Sequence, residues 1–157
     1  MSKLVRNSLF AATAAVAVAF ATVSIAQTNS PADVIKTRQQ GLKDLGAAFK
    51  EIRDQLKGTA DMGKVKAAAA SIKSAADAMP NWFPKGTGAE VGVKTGAKPE
   101  IWSDADGFKA AMAKFVDEAG KFAQTANGGD AKAVMGAMRT LGQSCGGCHD
   151  KYRIKED

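Results

Sequence analysis

The sequence predicts an all-α protein folded as an antiparallel four-helix bundle, with a long crossover between the second and third helices. Apolar residues recur at alternating steps of three and four along four separate stretches, as is typical of helices that pack in a bundle. No stretch shows the period of two that marks a half-buried strand. Glycine and proline interrupt the helical pattern most strongly over residues 80–102. That segment is therefore the long connection, and the other two links are short.

The amino-terminal residues have the pattern of a secretory signal peptide. An apolar run over residues 9–23 follows two basic residues, Lys3 and Arg6. Ser24 and Ala26 then supply small side chains at the positions that signal peptidase reads. The run is shorter than the ~20 residues that span a bilayer, so we expect cleavage after Ala26 rather than a retained anchor. The mature chain is then residues 27–157, exported to the periplasm without a membrane span.

The first two helices are expected over residues 30–58 and 61–79. Ser30 as N-cap followed by Pro31 is a typical helix start, and Asp61 caps the second helix. The first apolar seam includes one charged residue, Arg38, and consists of Ile35, Arg38, Leu42, Leu45, Phe49, Ile52 and Leu56. The second helix is rich in alanine, ends at Pro80, and carries Val65, Ala68, Ile72, Ala75 and Met79 on its core side.

The last two helices surround a tight turn at residues 127–129. Ser103 to Asp106 begins the third helix, and Asp130 caps the fourth. Apolar residues on the third helix keep the same spacing: Phe108, Met112, Phe115, Ala119, Phe122 and Ala126. The fourth helix continues it with Val134, Met138, Leu141, Cys145, Cys148 and Tyr152. Both cysteines therefore lie in register with the core side of that helix.

The segment Cys145-Gly-Gly-Cys148-His149 has the spacing of a haem c attachment site. Two thiols add to the porphyrin vinyl groups, and the adjoining imidazole binds iron. On a helix, residues at i, i+3 and i+4 share one face, so all three side chains meet the same group. The chain has two cysteines and one histidine in total, too few for the roughly four ligands of a structural zinc site. A redox dithiol is the remaining alternative, but the βαβ pattern that accompanies one is missing.

The crossover carries the largest aromatic side chains of the chain. Trp82, Phe83 and Trp102 are expected to attach it to the core or to contact the edge of the haem. A connection of this length normally has a structural or functional role of this kind.

Net charge gives little indication of a partner. The formal charge is +6, with lysine and arginine spread along every segment. No run of like charges points to nucleic acid. A modest positive charge suits an acidic redox partner, although ordinary solubility is the simpler explanation.

The carboxy-terminal haem motif on a four-helix chain resembles the cytochrome c′ family and its low-spin relatives of the cytochrome c-556 type. The resemblance includes the motif and the residues after it, up to Arg153. Residues 31–42 resemble the first helix of the family, and residues 99–104 resemble the start of its third. The likeness covers essentially all of the mature chain.

The sixth iron ligand decides between the functions found in that family. Eight residues follow His149, and none is Met. Met138 lies ~16 Å away along the same helix, too far to reach over the ring. Met79 and Met112 occupy seam positions, where Met usually fills the core. Met62 and Met135 have no feature that marks them as an iron ligand.

The resemblance places the first helix over the distal face of the haem. Low-spin relatives have Met there and cytochrome c′ has an apolar residue; the matching position here is Leu42. A five-coordinate, high-spin haem with His149 as its protein ligand is therefore implied. The resemblance also places Arg38 near a haem propionate, with snorkelling to solvent as the alternative. Arg153 is placed beside the proximal face, or is simply a favourable charge at a helix end.

We therefore expect a periplasmic haem protein that binds NO and CO, chiefly as a nitric oxide scavenger or carrier, and that also transfers electrons to partner proteins. The alternative is a low-spin electron carrier with Met as sixth ligand. A peroxidase needs a distal acid–base group, and the single histidine is already assigned to iron, so we expect no enzyme activity. The resemblance further implies a homodimer formed through the first two helices.

Overall fold

The computed structural model describes residues 29–155, so the signal peptide prediction lies outside the described residues. Within this range the helices are α1 (Pro31–Gln55), α2 (Met62–Ala78), α3 (Glu100–Ser103), α4 (Ala105–Gly128) and α5 (Ala131–Tyr152). Helices α1, α2, α4 and α5 form the predicted four-helix bundle, which is confirmed. The single-turn α3 lies at the end of the crossover. No helix within residues 29–155 has the length and apolarity needed to cross a membrane.

The helix starts follow the predicted residues. Ser30 accepts a hydrogen bond from the Asp33 amide, Asp61 caps α2, and Asp130 caps α5. The cap of α4 is Asp104, whose carboxylate accepts from the Gly107 amide. Ser103 ends α3.

The bundle is assembled through three long helix contacts. Helix α1 packs along α2, α2 along α4, and α4 along α5. Helices α1 and α5 have no comparable backbone contact within residues 29–155. The α1–α5 side of the bundle therefore differs from the other three, and the crossover is the segment that connects to both of these helices.

The core contains most of the residues that the helical spacing predicted. Phe122 is 1 % exposed, and Ile52, Ile72 and Leu141 are fully buried. On α2, Ala76 is fully buried whereas the predicted Ala75 is half-buried. On α1, Leu42 is the exception: it is 37 % exposed, although its seam neighbours are buried or half-buried.

The crossover folds back as two 3₁₀ turns, Met79–Trp82 and Ala89–Val91, followed by α3. It forms a second, smaller apolar cluster centred on Ala97, Ile101 and Tyr152. Near its end Ala97 pairs with Arg153 in an isolated antiparallel bridge. The crossover is thus attached directly to the carboxy-terminal end of α5.

Candidate haem site

Helix α5 presents the motif as one continuous turn. Residues 131–152 are helical without a break, so Cys145, Cys148 and His149 lie on adjacent positions of one side of α5. Cys145 is half-buried against the main core, and Cys148 is half-buried against the smaller apolar cluster. His149 is exposed. Residues 29–155 contain no group of three or more His, Cys, Asp or Glu arranged to hold a metal ion.

The surroundings of the motif favour neutral side chains. Burial raises the pKa of both thiols, and the nearby Cys148 raises the pKa of Cys145 further. Partial desolvation, followed by the charge of Arg153, lowers the pKa of His149, while Asp150 opposes this effect. At neutral pH the imidazole is therefore uncharged, which is the form that binds iron.

Arg153 lies one turn after His149, and both side chains line the same surface depression. This depression has a volume of about 400 Å³ and is bordered by His149, Asp150, Arg153, Ile154 and Lys155. Ile154 is 43 % exposed and adds apolar surface. Arg153 and His149 are thus neighbours on this surface, and the placement of Arg153 beside the proximal face of the haem remains a prediction.

Leu42 extends from α1 beside a tightly packed turn of the helix. The Trp82 indole lies so close to α1 that a methyl group added at Gly41 would be 2.5 Å from the ring. Trp82 therefore packs on the backbone next to Leu42, while Leu42 itself keeps apolar surface exposed. A single exposed leucine is ordinary on a protein surface, so the position of Leu42 over the distal face of a haem remains a prediction from the family resemblance.

Arg38 is buried in the crossover and does not snorkel to solvent. It is 2 % exposed, and its guanidinium lies 4.7 Å from the centre of the Phe83 ring. Nη1 donates to the Trp82 carbonyl at 3.3 Å and to Thr87 Oγ1 at 3.1 Å. Nη2 donates to the Thr87 carbonyl at 3.0 Å and to Thr95 Oγ1 at 3.1 Å. Burial lowers the pKa of Arg38.

Two properties of Arg38 suit it to bind an anionic group. No Asp or Glu within residues 29–155 forms an ion pair with it, so its buried charge is balanced only by neutral oxygens. The four hydrogen bonds use Nη1 and Nη2 and leave Nε–H as a further donor. A carboxylate such as a haem propionate is the partner that this chemistry accepts best.

The acceptors of Arg38 could not be identified from the sequence. A charged residue in an apolar seam does signal that buried partners must exist. However, Thr87 and Thr95 lie 49 and 57 residues away along the chain, in a segment without periodicity. A second group missed in the sequence is Asp104, which accepts hydrogen bonds from Lys151 and Tyr152 and so joins the start of α4 to the end of α5.

The aromatic side chains of the crossover pack against the core, which is one of the two roles predicted for them. Trp82 and Phe83 pack against the main core, and Trp102 packs against the smaller cluster. Trp102 Nε1 donates to the carbonyls of Phe83 and Pro84, at 3.1 Å each. The Phe108 ring meets Phe83 and Tyr152 edge to face, with centroids 5.1 Å apart in both pairs. Contact of these aromatics with haem remains a prediction.

Four of the five methionines within residues 29–155 lie in or against the main core. Met79 and Met112 are 7 % and 5 % exposed in the main core. Met62 and Met138 pack against the same core from its edge, and Met135 is 52 % exposed on α5. This distribution agrees with Met as core filler.

A sequence profile of the family described as cytochrome c′ matches residues 33–153. The chain belongs to the cytochrome c′ family. It is 36 % identical over 151 residues to cytochrome c′ of Allochromatium vinosum, covering 94 % of this chain and 98 % of that protein. It is also 37 % identical over 124 residues to cytochrome c-556 of Agrobacterium tumefaciens, covering 78 % of this chain and 98 % of that one.

Solved cytochrome c′ structures share the fold. The crystal structure from Thermochromatium tepidum gives a TM-score of 0.77 at 32 % identity, covering 81 % of this chain and 98 % of that one. The nitric oxide complex of a leucine-to-isoleucine mutant from Alcaligenes xylosoxidans gives 0.71 at 33 % identity, covering 80 % and 98 %. The four-helix bundle is therefore that of a cytochrome c′.

The cofactor of a cytochrome c′ is haem c, attached covalently, and the side chains of this chain fit it. Two thiols and a neutral imidazole lie on one side of α5, exposed apolar surface lies at Leu42, and a buried arginine has a donor left for an anion. Because cytochrome c′ and cytochrome c-556 relatives are about equally similar to the chain, overall identity does not decide the sixth ligand.

Proposed function

We propose that this cytochrome c′ is an exported haem protein that binds small diatomic gases, above all nitric oxide, at an iron held by His149 as its one protein ligand. The observation that carries the proposal is Leu42, an exposed leucine on a first helix that contains no Met, His or Cys. Binding, carrying or scavenging nitric oxide is the role that follows, with electron transfer to partner proteins as an additional capability.

Attachment is assigned to three residues of α5. Cys145 and Cys148 would form the thioether links to the porphyrin, and His149 would bind the iron. When bound, the haem would supply an iron centre that can take a gas as a further ligand. The chain contributes the neutral imidazole, the apolar contacts of Leu42, and the Nε–H donor of Arg38 toward a propionate.

The distal environment determines which ligands are favoured. Leu42 offers no hydrogen-bond donor, so bound O₂ lacks the polar stabilisation that a polar distal pocket provides. Anionic ligands are disfavoured because an apolar surface does not compensate their lost hydration. NO and CO are small and weakly hydrated, and they tolerate such a pocket best.

The solved relatives support gas binding. Structures of variants of the Alcaligenes xylosoxidans protein include nitric oxide complexes, one of them ferrous, and a carbon monoxide complex. This chain covers 98 % or more of each of those chains at 32–33 % identity.

Low-spin electron transfer is the second candidate, because cytochrome c-556 proteins are among the relatives. It requires a Met on the iron. Met79 and Met112, the two most buried methionines, are committed to the main core, and α1 supplies none.

Optical spectra of the purified holoprotein test the proposal. We expect the broad ferrous bands of five-coordinate haem and a large change on adding CO. Leu42→Ala should raise CO affinity, because it removes steric bulk over the iron. Sharp six-coordinate bands that CO leaves unchanged would refute gas binding and support the low-spin candidate.

Export and assembly belong to the same proposal. Cleavage after Ala26 would release residues 27–157 into the periplasm, where N-terminal sequencing of the mature protein tests it. A homodimer through α1 and α2 is supported by a solved relative whose dimer dissociates under ligand control. Sedimentation with and without CO measures the assembly state; a monomer at all concentrations contradicts the dimer.

A further inference from the structure

Residues 94–98 of the crossover form a short segment, called the strap below, that is hydrogen bonded to α1. Gln39 Nε2 donates to the Lys94 carbonyl at 2.8 Å. Arg38 Nη2 donates to Thr95 Oγ1 at 3.1 Å. Two consecutive residues of α1 therefore hold two consecutive residues of the strap.

The other half of the strap is hydrogen bonded to the end of α5. The Lys98 amide donates to the Tyr152 carbonyl at 3.0 Å, and the Ile154 amide donates to the Gly96 carbonyl at 2.8 Å. These bonds flank the Ala97–Arg153 bridge. The strap thus runs from α1 to the residues that follow His149.

Thr95 joins the two halves through a single oxygen. Its Oγ1 accepts from Arg38 Nη2 at 3.1 Å and from the Ala97 amide at 3.2 Å. The hydroxyl therefore ties the buried guanidinium of α1 to the residue that pairs with α5.

This connection matters because α1 and α5 lack the long direct contact that joins the other neighbouring helices of the described bundle. Leu42 lies on α1, whereas Cys145, Cys148 and His149 lie on α5. The relative position of these two sets of residues depends on the packing of α1 on α2, α2 on α4 and α4 on α5, and on any segment that spans directly from α1 to α5. The strap is such a segment, because it is hydrogen bonded to both helices.

We propose that the strap sets the separation of α1 and α5, and that Thr95 is the positioning residue that determines how closely Leu42 approaches a gas at the iron. The proposal rests on the proposed function, since it takes Leu42 as the distal cap. Thr95 acts through Arg38 and the strap, without contact with the gas.

Thr95→Val tests this role because valine keeps the shape of threonine and removes the acceptor oxygen. Arg38 Nη2 and the Ala97 amide each lose a partner, so α1 is held less firmly toward α5 and Leu42 obstructs the iron less. We expect the CO affinity of the ferrous holoprotein to rise about threefold to tenfold, the scale of one or two hydrogen bonds. Thr95→Ser keeps the oxygen and should restore the wild-type affinity.

A second variant avoids the buried cluster. Gln39→Ala removes the exposed contact to the Lys94 carbonyl and leaves Arg38 intact. It should raise CO affinity in the same direction by a smaller factor.

Two controls separate positioning from stability. Ile72→Val lowers stability from the fully buried core of α2 without touching the strap, and it should leave CO affinity unchanged at a matched loss of Tm. Thr125→Val makes the same chemical change at an exposed hydroxyl bonded within α4. A rise in CO affinity equal to that of Thr95→Val in either control overturns the proposal.

Amide hydrogen exchange of the holoprotein supplies a readout independent of gas binding. Exchange at Lys98 and Ile154 should be faster in Thr95→Val than in wild type, and unchanged in Thr125→Val. If exchange at both amides is unchanged in Thr95→Val, Thr95 does not hold the strap and the proposal fails. If exchange is faster but CO affinity is unchanged, the strap does not control how closely Leu42 approaches the gas, and the proposal also fails. If the wild-type protein takes up haem but does not bind CO, the proposed function is refuted. The exchange rates of Lys98 and Ile154 still decide in that case whether the strap joins α1 to α5.

Discussion

Individual side chains at the site are explained by what surrounds them. Arg38 is tolerated in an apolar seam because four neutral oxygens of the crossover accept its Nη hydrogens. His149 is kept neutral by partial desolvation and by Arg153. Leu42 has no polar group to offer and retains exposed apolar surface. These three environments suit the roles proposed for the three residues: an anion contact for Arg38, an iron ligand for His149 and an apolar cap for Leu42.

Leu42→Met places a thioether where the family resemblance puts the distal face. We expect the ferrous spectrum to become that of six-coordinate low-spin haem and CO binding to weaken at least tenfold, because the gas must displace the sulfur. The absorption spectrum with and without CO measures both changes. Leu45→Met, one turn farther along α1 and packed on the core, is the matched control and should leave the spectrum unchanged. If Leu42→Met also stays five-coordinate, Leu42 is not above the iron.

At the scale of secondary structure, contacts at helix ends hold the site together. Asp104 caps α4 and also accepts hydrogen bonds from Lys151 and Tyr152 at the end of α5. Gly129 ends α4 with a φ of 78°, which allows the chain to turn directly into the cap of α5 at Asp130. The orientation of the haem-bearing helix relative to α4 therefore depends on a few terminal residues.

Asp104→Asn should destabilise the protein at neutral pH and much less in acid. Hydrogen bonds from Lys151 and then Tyr152 lower the pKa of Asp104. A carboxyl with a lowered folded pKa stabilises the fold above its unfolded pKa of about 3.9, and this contribution is lost as pH falls through the lower folded value. Asparagine can still cap the helix.

Thermal unfolding from pH 7 to pH 3 measures this effect. The Tm difference between wild type and Asp104→Asn should narrow as the pH falls below about 4. Asp77→Asn, which removes the carboxylate of an exposed pair with Lys73, should change Tm little at any pH. A Tm difference for Asp104→Asn that stays constant with pH would show that the charge of Asp104 does not contribute to the stability of the fold.

Gly129→Ala should lower the free energy of unfolding by about 1 kcal/mol, because alanine is strained at a positive φ whereas glycine is not. Gly128 is the matched control: it ends the helical range of α4 without a positive φ, and no heavy atom lies within 4 Å of an added Cβ. Gly128→Ala should be neutral or slightly stabilising. Urea unfolding compares the two variants, and equal losses would mean that the αL conformation of Gly129 is not what the turn requires.

At the scale of the whole molecule, the bundle is asymmetric. Within residues 29–155, helices α2 and α4 each pack along two neighbouring helices. Helices α1 and α5 each pack along one, α1 along α2 and α5 along α4. The main core, which includes Phe115, Phe122 and Ile72, is formed largely around α2 and α4. Haem held between residues of α1 and α5 would therefore add stability on the side that has the least helix packing.

Removing the attachment residues tests this relation. Cys145→Ala with Cys148→Ala should abolish covalent haem, seen as loss of haem staining after denaturing electrophoresis. It should also lower Tm, because a group bound only by the folded state stabilises that state. Gly146→Ala, at an exposed position where an added Cβ has no neighbour within 4 Å, should keep the stain and the Tm. Haem staining that survives the double substitution would place the attachment elsewhere.

Much of the fold and the centre of the site can be predicted from the sequence, because both depend on local spacing. The three-and-four period defines α1, α2, α4 and α5, and the Cys-x-x-Cys-His spacing places two thiols and an imidazole on one helix face. Helix ends are predicted less accurately: the sequence places the end of α1 at Gly58, whereas the helix stops at Gln55.

Only the tertiary structure decided how the crossover is used. Its hydrogen bonds join residues 44 to 57 positions apart, and no local rule relates a buried arginine to threonines in an irregular segment. The same holds for the strap, since residues 96–98 meet residues 152–154 through backbone groups that every residue possesses. The sequence by itself therefore determined the helices and the haem-attachment motif, whereas long-range packing decided which segment links α1 to α5.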